Sequence, residues 1–156
     1  MFFGIDPNHS GLIEASQKAH RLPGRNLHYL LASYESLPGC FAGAAESVSV
    51  LFPWGSLLKA VAGGDANSLC NLRALCKPGA SAEVVTAIDA VADAGELARL
   101  RMQTFEVERM RAAWTSAGFD DIEILPLPAG HQYQTTWWHR IRQREGRVAI
   151  RLTARA

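Results

Sequence analysis

Val48-Ser49-Val50-Leu51-Phe52-Pro53-Trp54-Gly55-Ser56-Leu57-Leu58 is the stretch on which the reading of this chain turns. Val48 and Val50 alternate with Ser49, and the apolar run then continues through Phe52, the pattern of a buried strand. Pro53 and Gly55 end it abruptly. Trp54 is left at the strand's carboxyl end. In open α/β sheets ligands bind in the crevice outside those ends, so an aromatic held there between a Pro and a Gly is placed to touch one. The competing reading is a Trp that plugs the core, since Trp is highly buried on average.

Downstream, Leu57, Leu58 and Val61 mark a short helix that Gly63-Gly64 ends. A further helix from about Asp65 uses Leu69, Leu72 and Leu75/Cys76 as its apolar stripe and stops at Lys77-Pro78-Gly79. Ala82 to Ile88 reads as a buried strand, and Asp89 to Gln103 carries only a weak helical pattern around Glu96 to Leu100. From Thr104, Val107, Met110, Trp114 and Ala117 recur at steps of three or four, with Gly118 as the left-handed terminator. Ile122 and Ile124 alternate as a strand until Pro126 and Pro128 break the pattern. Gln132 to Arg144 is expected to be a helix bearing Trp137, Trp138 and Ile141. The chain closes on Val148, Ile150 and Leu152 alternating against Arg147, Arg151 and Thr153, a strand with one wet face.

Upstream, Phe2 to Ile5 is a strand closed by Asp6-Pro7-Asn8. Leu12, Ala15 and Ala19 follow at helical spacing, capped by Asn8 or Ser10, until Pro23-Gly24. Asn26 to Ala32 is a second strand ending at Ser33-Tyr34-Glu35-Ser36, and Leu37-Pro38-Gly39 turns the chain. Strand and helix alternate throughout, which calls for a parallel sheet covered on both faces. The last two strands are expected to add a mixed edge.

With 156 residues and 48% hydrophobic content, the chain is the size of one domain with a proper core. Net charge is only +1, but Trp137 to Ala156 holds six Arg against Glu145 alone. That tail is +5; the remainder, with ten basic and fourteen acidic residues, is −4. A basic end on a neutral whole suggests a local patch for phosphate, against the alternative of a solvated basic face. Cys40, Cys70 and Cys76 form no CxxC pair and are odd in number, which supports neither a zinc site nor a disulfide framework and fits a reducing cytoplasm. No signal-peptide pattern or run of 18 apolar residues is present, so neither secretion nor a membrane partner is expected.

Gly4-Ile5-Asp6, the turn Glu35-Ser36-Leu37-Pro38, the block Leu51-Phe52-Pro53-Trp54-Gly55-Ser56-Leu57-Leu58 and the late Thr135-Thr136-Trp137 run in the order in which they occur in a known family. The chain resembles the kanamycin–apramycin resistance methyltransferases of the Kam/Npm type. The Phe-Pro-Trp-Gly-Ser-Leu-Leu block is specific; Gly-Ile-Asp is shared by many methyltransferases. The resemblance implies an α/β fold of the class I (Rossmann-like) S-adenosylmethionine-dependent type, mostly parallel with an antiparallel edge. It also implies transfer of a methyl group to N1 of an adenine in the decoding site of 16S ribosomal RNA, hence aminoglycoside resistance. The partner implied is 16S rRNA in the 30S ribosomal subunit, with no metal.

On that resemblance, Asp6 hydrogen-bonds the cofactor's ribose hydroxyls, a task that suits a carboxylate at a strand end. A helix N-terminal acid is its plainer role. Ser33, Tyr34 and Glu35 fall where the family contacts the adenine ring of S-adenosylmethionine, Ser33 and Tyr34 standing where the family has small residues. Trp54 and Trp137 match the two aromatics that hold the target adenine. A base taken out of its stack loses a few kcal/mol, which two indole faces restore. N1 offers a lone pair, so catalysis is mainly positioning and needs no general base. Ser56 and Thr135 are hydroxyl partners in the same pocket, whereas Trp138, about 100° round the helix from Trp137, is expected in the core. Lys18, Arg21, Arg25, Arg140, Arg142, Arg144 and Arg147 form the implied phosphate-contacting surface.

The family's first strand and its Gly-rich turn have no counterpart in these residues, so Phe2 to Ile5 matches the strand that comes second. The expectation is an N-terminally truncated fold that binds S-adenosylmethionine weakly by itself. Two further readings stay open beside the methyltransferase: a non-catalytic relative that binds RNA or a small ligand, and an enzyme of secondary metabolism reusing the crevice.

Overall fold

The strand that ends at Phe52 is β3 (Ala45–Leu51), and in the computed structural model of this chain, which describes residues 1–21, 26–127 and 146–156, it lies at the edge of a four-stranded sheet. The described residues group into two compact units, Met1–Cys40 and Phe41–Ala156.

In the second unit the sheet runs β3-β4-β6-β5, where β4 is Cys76–Asp89, β5 is Asp120–Pro126 and β6 is Arg147–Arg155. β3 and β4 are parallel, as a helical crossover requires. β6 pairs antiparallel with both β4 and β5, which is the mixed edge expected from the sequence. Side chains alternate across β4, so Ala80, Ala82, Val84 and Ile88 point to one face. There they join Val50 of β3 and Ile150, Leu152 and Ala154 of β6 in a core closed by four helices. These are α2 (Gly55–Ala62), α3 (Ala66–Leu75), α4 (Ala94–Leu100) and α5 (Val107–Ser116). Trp114 of α5 is fully buried, its ring centroid 4.6 Å from that of Phe119. Its indole N–H donates to the Val61 carbonyl at 3.0 Å, so the polar end of the indole is satisfied.

The first unit is one β-α-β passage: β1 (Phe2–Asp6), α1 (His9–Ala19) and β2 (Leu27–Leu31), with β1 and β2 parallel and in register from Phe2 against Leu27 to Asp6 against Leu31. Asn8 caps α1 by accepting from Ser10 and Gly11 N–H, and Leu12 is buried. The Tyr29 ring lies over Gly4, where an added Cβ would come within 2.7 Å of it. Any side chain at Gly4 would displace that ring.

Several boundaries differ from the sequence reading. β4 begins at Cys76 rather than Ala82, because Cys76 pairs with Ala45 and the Gly79 N–H is taken by the Ala156 carbonyl. The undecided segment contains α4, which stops at Arg101 in the left-handed conformation (φ 57°), a position usually given to glycine. Pro126 does not interrupt β5 but is its last residue, opposite Ile150, which an edge strand tolerates. At the start of β6 the expected faces are exchanged in exposure: Val148 is 52% exposed, while the Arg147 side chain is only 11% exposed.

Arg147 turns inward because Asp93 is there to meet it, 3.7 Å away and equally covered. The same carboxylate accepts the Asp89 N–H at 2.9 Å. Cutting Asp93 to Ala removes the counter-charge from a covered guanidinium and one acceptor from the end of β4. Urea denaturation is expected to show a loss of about 1–3 kcal/mol; an unchanged midpoint would mean that water solvates Arg147 adequately.

Candidate functional site

The turn after β3 departs from ordinary backbone geometry. Phe52 has φ 51° and Gly55 φ 60°, so two left-handed residues bracket Pro53 and Trp54. For a bulky residue such as Phe this conformation is unusual and costs about 1–3 kcal/mol, a cost that recurs at functional sites. The Phe52 N–H donates to the Val85 carbonyl at 2.7 Å, which anchors the turn to β4. Pro53 is buried and Trp54 is 51% exposed at the N-cap of α2. Trp54 is therefore no core plug: the turn holds an indole out at the carboxyl end of the strand. Ser56, one residue into α2, is exposed beside it.

α4 lies beside this turn: a Cβ added at Gly55 would come 3.8 Å from Arg99 Nη2, and Arg99 donates two hydrogen bonds to the Glu96 carboxylate, at 2.7 and 2.6 Å. The Arg99 hydrogen bonds, with the charge of Arg99, hold the Glu96 carboxyl below the usual carboxylate range, against a raising effect of burial. Sequence reading missed Glu96 and Arg99, because only the fold brings α4 to the start of α2. The Phe-Pro dipeptide signalled a non-helical residue at position 52. It did not signal the sign of φ.

In the first unit, Asp6 is exposed at the carboxyl end of β1, with its Oδ1 accepting the Asn8 N–H at 2.7 Å. Ser33, two residues past β2, caps a single turn of 3-10 helix, Tyr34–Ser36; its Oγ accepts the Glu35 N–H and donates to the Glu35 carboxylate. Asp6 and the Ser33-Tyr34-Glu35 turn thus stand at the same ends of two adjacent parallel strands. A carboxylate, a hydroxyl, a phenol and a second carboxylate suit the nucleoside part of S-adenosylmethionine.

The phosphate-contacting set divides. Lys18 and Arg21 are exposed at the end of α1, Lys18 pairing with Glu14 at 2.6 Å across one helical turn. Arg147 is committed to Asp93 and leaves the exposed set. Trp137, Thr135, Arg25, Arg140, Arg142 and Arg144, the expected helix over 132–144 and Trp138 lie outside the described residues. Among the described residues no group of His, Cys, Asp and Glu could hold a metal, and no helix is long and apolar enough to cross a membrane.

Parallel β-α-β passages, a sheet with an antiparallel edge, and an acid and an aromatic at strand ends define the class I S-adenosylmethionine-dependent methyltransferase fold, and solved structures of such enzymes share it. The chain matches an aminoglycoside resistance methyltransferase, NpmB1, with 37% identity and a TM-score of 0.71, covering 97% of this chain and 74% of that one. It matches the 16S rRNA methyltransferase KamB with 27% identity and a TM-score of 0.80, covering 98% and 75%. More particularly, the chain belongs to the NpmA family of 16S rRNA (adenine(1408)-N(1))-methyltransferases, whose family model matches residues 1–156. A relative of that description from Escherichia coli is 30% identical over 151 residues, 90% of this chain and 69% of the relative.

Proposed function

We propose that this chain works as a 16S rRNA methyltransferase that transfers a methyl group from S-adenosylmethionine to N1 of the adenine its relatives are named for, within the 30S subunit. The observation that carries the reading is Trp54, an indole held out at the end of β3 by a strained turn, in a chain whose whole length matches the family. S-adenosylmethionine supplies an electrophilic methyl group on a sulfonium centre. The protein's own task is to hold the nucleophile. One face of Trp54 stacks on the extruded adenine, and Trp137 supplies the opposing face. An adenine methylated at N1 is cationic, and an indole stabilises a cation over its face by about 0.5–2 kcal/mol. The step is therefore favoured by the same side chains that hold the base.

Asp6 anchors the cofactor ribose, with Ser33, Tyr34 and Glu35 beside the adenine of the cofactor; Ser56 and Thr135 are hydroxyl partners in the pocket of Trp54 and Trp137. Asp6→Ala is expected to weaken S-adenosylmethionine binding by about tenfold or more, as loss of hydrogen bonds to a charged acceptor implies. Calorimetry on parent and variant checks this; equal affinities would return Asp6 to its local role of accepting the Asn8 N–H. Lys18, Arg21, Arg25, Arg140, Arg142 and Arg144 meet rRNA phosphates, which would make subunit binding fall steeply with salt. The test of the function as a whole is expression in an aminoglycoside-sensitive bacterium. Growth on kanamycin and apramycin, with a reverse-transcription stop at a single decoding-site adenine, is the expected result. Sensitivity together with an unmodified adenine would overturn the reading.

A further inference from the structure

We propose that Lys59 holds a phosphate of the rRNA strand next to the extruded adenine, its ammonium reaching back along α2 toward the turn that carries Trp54. The inference rests on the reading of Trp54 as the base-holding residue. A base swung out of its stack turns about its own backbone, so the phosphates beside it come close to whatever holds the base. They need a cation there. Arg147, the one member of the expected phosphate-contacting set that falls among the described residues of the second unit, is turned in to Asp93 and does not serve.

Two other cations stand near the Trp54 turn. Arg99 lies beside Gly55, but its guanidinium is engaged with Glu96 through two hydrogen bonds. Lys59 is differently placed. α2 buries Leu58, Ala60, Val61 and Ala62, and its two exposed residues are Ser56 and Lys59. Three positions apart, these are neighbours on the helix surface. Helical side chains lean toward the N-terminus, so the Lys59 stem covers the turn of helix before its own Cα. Four residues separate it from Gly55, about 6 Å of rise, which a flexible four-carbon stem spans. Among the described residues Lys59 makes no ion pair. Asp65, the acid nearest to it in sequence, has both carboxylate oxygens taken by Ser68, at 3.4 and 2.8 Å. From the turn into the helix the chain therefore exposes an indole, a hydroxyl and a cation, the groups that a base, its polar edge and its phosphate call for.

The test measures binding of the full 156-residue chain to 30S subunits across a salt series, as parent, Lys59→Gln, Lys59→Arg and Lys77→Gln, the last removing a charge from an exposed pair with Glu46. Each phosphate contact adds about 0.7–0.9 to the steepness of log affinity against log salt. Lys59→Gln should lower the slope by that amount and weaken binding roughly fivefold near 0.1 M salt. Lys59→Arg keeps the charge and should keep the parent slope. Lys77→Gln should bind within about twofold of the parent, and the urea midpoints of all four should agree. In a Trp54→Ala background, where the base is no longer held, Lys59→Gln should cost about twofold or less. A parent slope in Lys59→Gln, or an equal loss in Lys77→Gln, would overturn the inference. So would an undiminished loss in the Trp54→Ala background, which would put the phosphate elsewhere on the subunit. A fall in the urea midpoint of Lys59→Gln that accounts for its weaker binding would also overturn it, leaving Lys59 as a cation in the last turn of α2. A parent chain that binds 30S subunits without methylating them would sink the proposed function and leave the Lys59 slope to be read; one that does not bind them overturns both.

Discussion

Trp54→Ala is expected to melt near the parent temperature and yet to lose most methyl transfer to 30S subunits. The first half follows from exposure: with 51% of the residue already open to solvent and no side-chain hydrogen bond at the cap, little folded-state packing is lost. The second half follows from stacking. A base–indole contact is worth roughly 1–3 kcal/mol, so activity should fall by about 5- to 150-fold, with Trp54→Phe retaining part of it. Trp137→Ala should behave alike. Methylation rates and thermal melts on the same preparations separate the two effects. A Trp54→Ala variant that unfolds, or that melts normally and methylates at the parent rate, would remove Trp54 from the pocket.

Trp114→Ala should do the reverse and act through the fold. Trp114 is fully buried, packed against the tilted ring of Phe119 and hydrogen-bonded to the Val61 carbonyl, so truncation leaves a large cavity between α2 and α5 and removes a donor from that carbonyl. Large-to-small changes of this kind cost about 3–5 kcal/mol, comparable with much of the stability of a small domain. Denaturation midpoints measure it directly. A loss below about 1 kcal/mol would mean that the core around Trp114 closes over the gap. The contrast between two tryptophans in one unit is the sharpest separation of site from core that the chain offers.

Periodicity was enough to find most elements, because each helix or strand buries one face and the apolar residues mark it. The stripe Val107, Met110, Trp114 located α5, and the Val48–Phe52 run located β3. It failed where tertiary partners decide. Nothing local to Arg147 announces Asp93, so the alternation of β6 placed Val148 inside and Arg147 outside, opposite to what the fold does. Cys76 to Ser81 read as the end of a helix and a turn, since its strand character comes from pairing with β3 and with the end of the chain.

The candidate site stood out in the sequence because its residue types are unusual for their places: an aromatic between Pro and Gly, and an acid closing a strand. Its surroundings did not. Glu96 and Arg99 form an ordinary i, i+3 pair in the sequence, and only the fold brings Arg99 beside Gly55 at the start of α2. The left-handed Phe52 was equally hidden, since the residue before a proline is known to avoid the helical region but not to cross to positive φ.

The most direct test is to incubate purified chain with 30S subunits and S-adenosylmethionine, digest the 16S rRNA to nucleosides, and quantify N1-methyladenosine by mass spectrometry. The account predicts close to one N1-methyladenosine per subunit with the parent chain and a much slower rise with Trp54→Ala. No N1-methyladenosine above the enzyme-free control, from a parent chain shown to be folded, would contradict it.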